Sequence, residues 1–392
     1  MRLTFSPDLD KLRDSAREHI RTHRPSMERL PGTRPPEHDQ LPEYRAWCAS
    51  LFAAGLAGAD WPTEWGGRGS YDPLAEYVVE QELADARVPR PIGAWNLVAN
   101  ALLSHGTEAQ KSYFLPRIRR FDDLWCQLFS EPDAGSDLAA LRTSAVSRAG
   151  QWMVNGQKVW TTHAHVADRG FLLARTDPTV SKHKGISAFV VDMRTPGITV
   201  RPLREMTGSS DFNEVFFDDV ALPADSIIGQ PGQGWEIART ALSHERSQSL
   251  REDSATASVR RLARVVAAGV NESGTPLDGR TDASRNIGRL YARATVAELL
   301  GLEGVLKDAA GLSEVYDAPI VKVLFSETNL DIATSALTMV GPLGALTEQD
   351  PAAVDSGHWQ KAFLFARGFT ISAGSNEVMR NIIAERGLGL PR

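Results

Sequence analysis

The chain has 392 residues, of which 42% are hydrophobic and 23% charged, and its formal net charge is −6. That composition is globular and not disordered, and the acidic balance leaves no basic footprint for nucleic acid. No apolar run is long enough to span a bilayer, and the length exceeds one ordinary core, so two or three packed domains are expected.

The first region, residues 1–121, reads as helices broken by proline-rich links. Met1 to Ile20 carries Asp8, Asp10, Lys11 and Arg13 and so does not read as a signal peptide; a cytoplasmic location is expected. Leu9, Leu12, Ala16 and Ile20 recur at helical spacing. Pro25, Pro31, Pro35, Pro36 and Pro42 rule out one helix across Arg24 to Pro42, and Trp61 to Gly67 is a second breaker. Leu74 to Ala86 is helical in pattern. The two cysteines, Cys48 and Cys126, provide neither a disulfide framework nor a metal knot and are expected to be buried as small apolar groups.

Residues 122–230 change texture. Trp152-Met153-Val154 leads into Asn155-Gly156, which predicts a hairpin turn, followed by a β-rich run from Lys158 to Thr162. Gly170–Arg175, Ile186–Asp192, Ile198–Leu203 and Glu214–Val220 are short, β-branched or aromatic, and bounded by Gly, Pro or Asp. They predict a small antiparallel β domain. From 231 to 392 helical periodicity returns over Trp235–Ala268, Ala283–Leu312, Pro319–Val340 and Trp359–Phe369, with a last helix after Gly374, as in an antiparallel bundle.

Familiar phosphate-binding glycine patterns are missing. His163 and His165 stand two apart with no third ligand near them in sequence, so no metal site is expected. Ser136 lies in Ala-Gly-Ser-Asp and not in a nucleophile elbow. Two segments draw attention instead. Phe129-Ser130-Glu131-Pro132-Asp133-Ala134-Gly135-Ser136-Asp137 crowds hydroxyls and N–H groups onto irregular backbone. Asn155-Gly156-Gln157-Lys158-Val159-Trp160-Thr161-Thr162 ends a strand with an aromatic and two hydroxyls. Alone, the first reads equally as a plain Pro-Gly turn and the second as an ordinary hairpin.

In this order, between two helical regions, they resemble the acyl-CoA dehydrogenase family. The resemblance continues through Gly185–Asp192, Phe217–Pro223, Gly229–Trp235 and Gly374–Ile383 and covers essentially the whole chain. It is similar to an actinobacterial branch that acts on bulky thioesters, including steroid side chains. It implies a multi-domain α+β fold: an N-terminal helical domain (1–121), a middle antiparallel β-barrel domain (122–230) and a C-terminal helical bundle (231–392). It also implies FAD. Ser130 matches the hydroxyl that bonds the pyrimidine end of the ring, with backbone N–H groups of Phe129 and Ser130 beside it. Trp160 would flank the ring, and Thr162 would bond near N5. Ser136 would support the flavin phosphate or the pantetheine edge. Thr161, Ser375 and Glu377 complete the implied cofactor set.

The implied reaction removes a proton from Cα and a hydride from Cβ of an acyl-CoA thioester. A carboxylate in a dry pocket must take the proton, because desolvation raises its pKa toward working pH. The family's commonest position for that Glu is occupied here by Ala373, whose backbone N–H is implied as a donor to the thioester oxygen. A second branch uses a helix-borne Glu directly before an Arg, which matches Glu245-Arg246. The spacing is consistent: Trp235, Ala238, Leu242, Glu245 and Ser249 share one helix face. The alternative is a Glu reaching an arginine such as Arg246 or Arg251.

Two family segments are altered. Gly269 to Pro276 lacks an Arg and a Phe that reach the neighbouring subunit's FAD, and Thr338 to Gly344 lacks a Gln and carries Pro342 in place of a Gly. The expected assembly is therefore a heteromer with a homologous acyl-CoA dehydrogenase subunit, arranged as a dimer of heterodimers, with Arg280 or Arg285 as substitutes if the chain is self-sufficient. Electron-transfer flavoprotein is the expected acceptor. A non-catalytic scaffold subunit and a flavin oxidase on the same fold are the alternatives.

Overall fold

The computed structural model describes residues 6–27, 39–58, 61–69, 72–249, 254–269 and 283–391, with only the backbone of 243–249. The chain divides into two compact units, 1–245 and 246–392.

Among the described residues the first unit begins with five α-helices: α1 (Pro7–His23), α2 (Leu41–Ala53), α3 (Pro73–Asp85), α4 (Trp95–His105) and α5 (Glu108–Arg119). Local chemistry sets their starts. Ser6 caps α1 with Pro7 following, Asp72 accepts from two N–H groups of α3, and Thr107 with Gln110 forms a capping box on α5. Leu9, Leu12, Ala16 and Ile20 are buried, as their spacing predicts.

Eight strands follow: β1 (Trp125–Leu128), β2 (Ser144–Arg148), β3 (Gln151–Thr162), β4 (Arg169–Arg175), β5 (Ile186–Asp192), β6 (Ile198–Leu203), β7 (Phe212–Pro223) and β8 (Ile227–Ile228). They form one sheet ordered β6-β7-β3-β2-β4-β5-β8. Its long pairings are antiparallel, but β1 lies parallel to β4, and β2 touches β4 in parallel at one residue. Both faces of β4 and β5 are covered, which explains their unbroken apolar runs. Phe171, Leu173, Ala188 and Val190 pack with Leu97, Val98 and Leu115 of the helices. Leu172, Ala174, Phe189 and Val191 pack on the other side with Val154, Val215 and Phe217. Cys48 and Cys126 are free and buried, and burial pushes the Cys126 thiol up to about 12.

The turn expected at Asn155-Gly156 is not formed. The chain reverses at Ala149-Gly150, both in the left-handed region (φ +48° and +76°), and β3 runs straight through 155–156. A bulge against β7 sits at this point, and the Asn155 amide bonds both the side chain and the N–H of Asp219. Gly156 is required by close approach: a Cβ there would lie 2.5 Å from Thr143 Oγ1.

Helix α6 (Gly234–Ser249) runs across the division between the units at 245, with Ile237, Ala238 and Ala241 in the same core as α4 and β5. The second unit holds α7 (Ala255–Ala268), α8 (Ala283–Ala309), α9 (Asp317–Val340), α10 (His358–Ile371) and α11 (Asn376–Ile382). The single run expected over Trp235–Ala268 is thus two helices. Ser254 caps the second, and Glu298 of α8 accepts from the Ser254 and Thr256 hydroxyls and the Thr256 N–H. That polar start separates two stretches of uniform helical periodicity. Val259, Leu262, Leu290, Ala294, Ile332, Ala336 and Trp359 form the bundle core.

Candidate active site

The two segments singled out in the sequence meet in the first unit. The Val159 N–H donates to the Ser130 carbonyl at 2.9 Å. The Lys158 ammonium donates to the Phe129 carbonyl at 2.9 Å and to Glu131 Oε1 at 2.8 Å. Glu131 also accepts from the N–H groups of Arg142 (2.6 Å) and Thr143 (2.9 Å). Lys158 is fully buried and Glu131 nearly so. Burial draws the Lys158 ammonium down, to about 8, against the pull of Glu131. Burial pushes Glu131 the other way, but Lys158 and the two N–H donors outweigh it and hold the carboxyl below its ordinary range.

Beyond Lys158 the strand bulges again, between Lys158 and Thr161, and Trp160 takes a left-handed backbone with φ +58°. The consequence is that Trp160 stands outward, 62% exposed, braced edge-on by Phe212 with ring centroids 6.0 Å apart. An exposed indole on strained backbone is unusual for a core-forming strand. Thr161 turns inward and is buried, its hydroxyl without a partner among the described residues. Its carbonyl accepts from the Asn213 amide at 3.0 Å, which pins this end of β3. Thr162 follows, half-buried and paired with Phe212. Phe129 is buried against Phe171, Ser130 is half-buried, and Ser136 is exposed. The Ser130 and Thr162 hydroxyls make no hydrogen bond among the described residues.

The surface so formed combines a flat exposed indole with spare hydroxyls on both segments. That donor set fits a planar heteroaromatic ring with hydrogen-bonding edges, as an isoalloxazine has. Sequence reading passed over the Glu131–Lys158 pair. Its signal was available: Lys158 stands among the inward positions of a strand that also buries Val154, Val159 and Thr161.

In the second unit the segment after α10 is shaped by Ala373 (φ +53°) and Gly374 (φ +87°). Ala373 is exposed, and its N–H finds no acceptor among the described residues. Ser375 caps α11, and Glu377 is exposed, its carboxyl lowered by hydrogen bonding at the helix start. Asn376 anchors the turn: its buried side-chain oxygen accepts from Lys322 at 2.7 Å and Ser326 at 2.9 Å. Glu245 and Arg246 follow Ala241 on α6, but their side chains lie outside the described residues. So do Arg251, Arg280 and residues 270–276 of the altered segment; Arg285 opens α8.

Profiles of the acyl-CoA dehydrogenase N-terminal, middle and C-terminal domains match residues 6–122, 126–220 and 232–388. The chain belongs to the acyl-CoA dehydrogenase family, whose members are flavoproteins, and is an oxidoreductase acting on acyl-CoA. It is 38% identical over 363 residues to acyl-CoA dehydrogenase IpdE1 of Mycobacterium tuberculosis (strain ATCC 25618 / H37Rv), covering 91% of this chain and 90% of that protein. Its fold is similar to that of the Tcur3481-Tcur3483 steroid ACAD, with a TM-score of 0.82 and 28% identity over all of both chains. The ChsE4-ChsE5 complex from Mycobacterium tuberculosis gives a TM-score of 0.80 at 29% identity, again with both chains fully covered. No helix among the described residues is long and apolar enough to cross a membrane.

Proposed function

We propose that the chain carries the ring-side half of an FAD site on the Phe129–Ser136 and Trp160–Thr162 surface, and that it desaturates a bulky acyl-CoA of the steroid side-chain type. The observation that carries this reading is the outward Trp160 on the same segments as the Ser130 and Thr162 hydroxyls, which have no hydrogen-bond partner among the described residues. When bound, FAD supplies the two-electron acceptor for the Cβ hydride. Trp160 covers the ring. Thr162 and Ser130 donate hydrogen bonds to its edges, and Ser136 supports the phosphate or pantetheine edge. Glu245 takes the Cα proton, with Arg246 beside it in sequence. The Ala373 N–H donates to the thioester oxygen, which steadies the enolate that forms as the proton leaves. Ser375 and Glu377 shape the turn that presents Ala373.

The bulky-substrate reading is supported by likeness to a protein described as a steroid ACAD. The chain works as one half of a heteromer with a homologous subunit. That subunit supplies the Arg and Phe missing from 269–276, and electron-transfer flavoprotein accepts the electrons. Likeness to a two-component complex supports this assembly. The test is purification with and without the homologous subunit, followed by anaerobic addition of CoA thioesters and measurement of flavin bleaching. Bleaching by a bulky thioester in the pair, and little flavin on the chain alone, is expected. A homo-oligomer with one FAD per chain, active alone, contradicts the assembly. A pair that bleaches only through the partner's base makes this chain a scaffold.

A further inference from the structure

We propose that the buried Glu131–Lys158 pair is a positioning device that fixes the Phe129-Ser130 main chain against the Trp160 strand, so that the flavin-facing groups of both segments stand in one register. The proposal rests on the flavin reading of this surface and adds two residues that do not themselves face it. Lys158 donates to the carbonyl of Phe129 and to the carboxylate of Glu131, while the next residue, Val159, donates its N–H to the carbonyl of Ser130. Three successive loop residues, 129 to 131, are thus tied to two successive strand residues. Glu131 extends the tie to the start of β2 through the N–H groups of Arg142 and Thr143, and closes its own loop by a two-bond bridge with Ala134.

The chemistry is costly unless it fixes something. An ammonium with no exposure and a carboxylate nearly as buried lose hydration that an ion pair only partly restores, and an apolar pair would often hold a core as well. Here the two charges lie at the root of a bulge, where β3 has left regular register and the ladder alone no longer fixes Trp160. A side-chain clamp with directional bonds supplies the missing constraint. The Lys158 bond to a backbone carbonyl makes the clamp specific, because a carboxylate partner alone would not hold the loop's main chain.

The test uses the purified chain with its homologous subunit, loaded with FAD. Lys158→Met strands a buried carboxylate and is expected to lower the unfolding temperature and flavin retention together. Glu131→Gln/Lys158→Met removes both charges and keeps a carbonyl for the Arg142 or Thr143 N–H, so stability is expected to recover while the bond to Phe129 stays lost. Positioning predicts that the double variant still binds flavin about tenfold more weakly, as one lost directional bond implies, with altered visible circular dichroism of the flavin. If affinity and dichroism return to wild type with stability, the pair is only structural and the proposal is overturned. Trp160→Ala is measured alongside. A changed flavin spectrum there with a silent double variant removes the positioning role but keeps the flavin surface. An unchanged spectrum in Trp160→Ala removes the surface and the proposal with it.

Discussion

The two segments assigned to the reaction, 129–162 in the first unit and 372–377 in the second, are held in different ways. The first is held by charge: a buried lysine and glutamate join a loop to a strand across 27 residues of chain. The second is held by capping and backbone conformation, with no buried ion pair among the described residues: Ser375 caps a helix, Asn376 takes hydrogen bonds from the Lys322 ammonium and Ser326, and Ala373 and Gly374 adopt positive φ. A surface that must hold a large ring at several edges gains from a stiff clamp. A turn that offers one N–H needs only a fixed backbone.

The largest effect is expected from Glu245, the proposed proton acceptor, which neither clamp includes. Glu245→Gln keeps shape but cannot take the proton, and should slow anaerobic flavin reduction roughly 10²- to 10⁴-fold with flavin retained. Reduction at near the wild-type rate would reject the assignment, and loss of flavin would make the residue structural.

Gly156→Ala strikes the frame of the first segment. The added methyl meets Thr143 at 2.5 Å from Oγ1 and 2.7 Å from Cα. A loss of about 1–3 kcal/mol is expected in chemical denaturation, because backbone blocks relief. Wild-type stability would mean that the Thr143 backbone moves away from β3 more easily than the geometry implies.

Acid acts on the buried charged clamp. The Glu131 carboxyl is lowered by Lys158 and the two N–H groups despite its burial, so the folded state takes its proton at a lower pH than the unfolded chain does. Its contribution is full above the ordinary glutamate range, near about 4.3, and is lost as pH falls through the lowered value. Glu131→Gln should therefore flatten the acid slope of stability below that range; an unchanged slope would place the acid sensitivity elsewhere.

The smallest effect is expected from Thr162→Val, which removes one spare hydroxyl. The barrier to flavin reduction should rise by about 1 kcal/mol, roughly fivefold in rate. An unchanged rate would remove Thr162 from the site.

Much of this arrangement was legible in the chain. Helical spacing located α1 and the bundle helices, and apolar runs located β4 and β5, because both features follow from one-dimensional periodicity. Asn155-Gly156 misled because its glycine answers to a neighbour in space, Thr143, and not to a local turn. The real reversal, Ala149-Gly150, carries a weaker sequence signal. Trp160 was found through its motif, but its outward stance depends on a bulge that no alternation pattern contains. The strand pattern marks Lys158 as an inward position, but its partner Glu131 lies 27 positions earlier in the chain and is brought to it only by the fold. The Trp235–Ala268 run looked continuous because the Ser254 cap is completed by Glu298, 44 residues away.

The outward face around Trp160 is proposed to receive the flavin ring. The direct measurement is the visible absorbance of bound flavin in Trp160→Ala, set against Val146→Ala, a second exposed apolar residue on the same sheet, 46% exposed on β2. The account predicts a shifted flavin band or lost flavin in the first variant and a wild-type spectrum in the second. Wild-type spectra in both would contradict it.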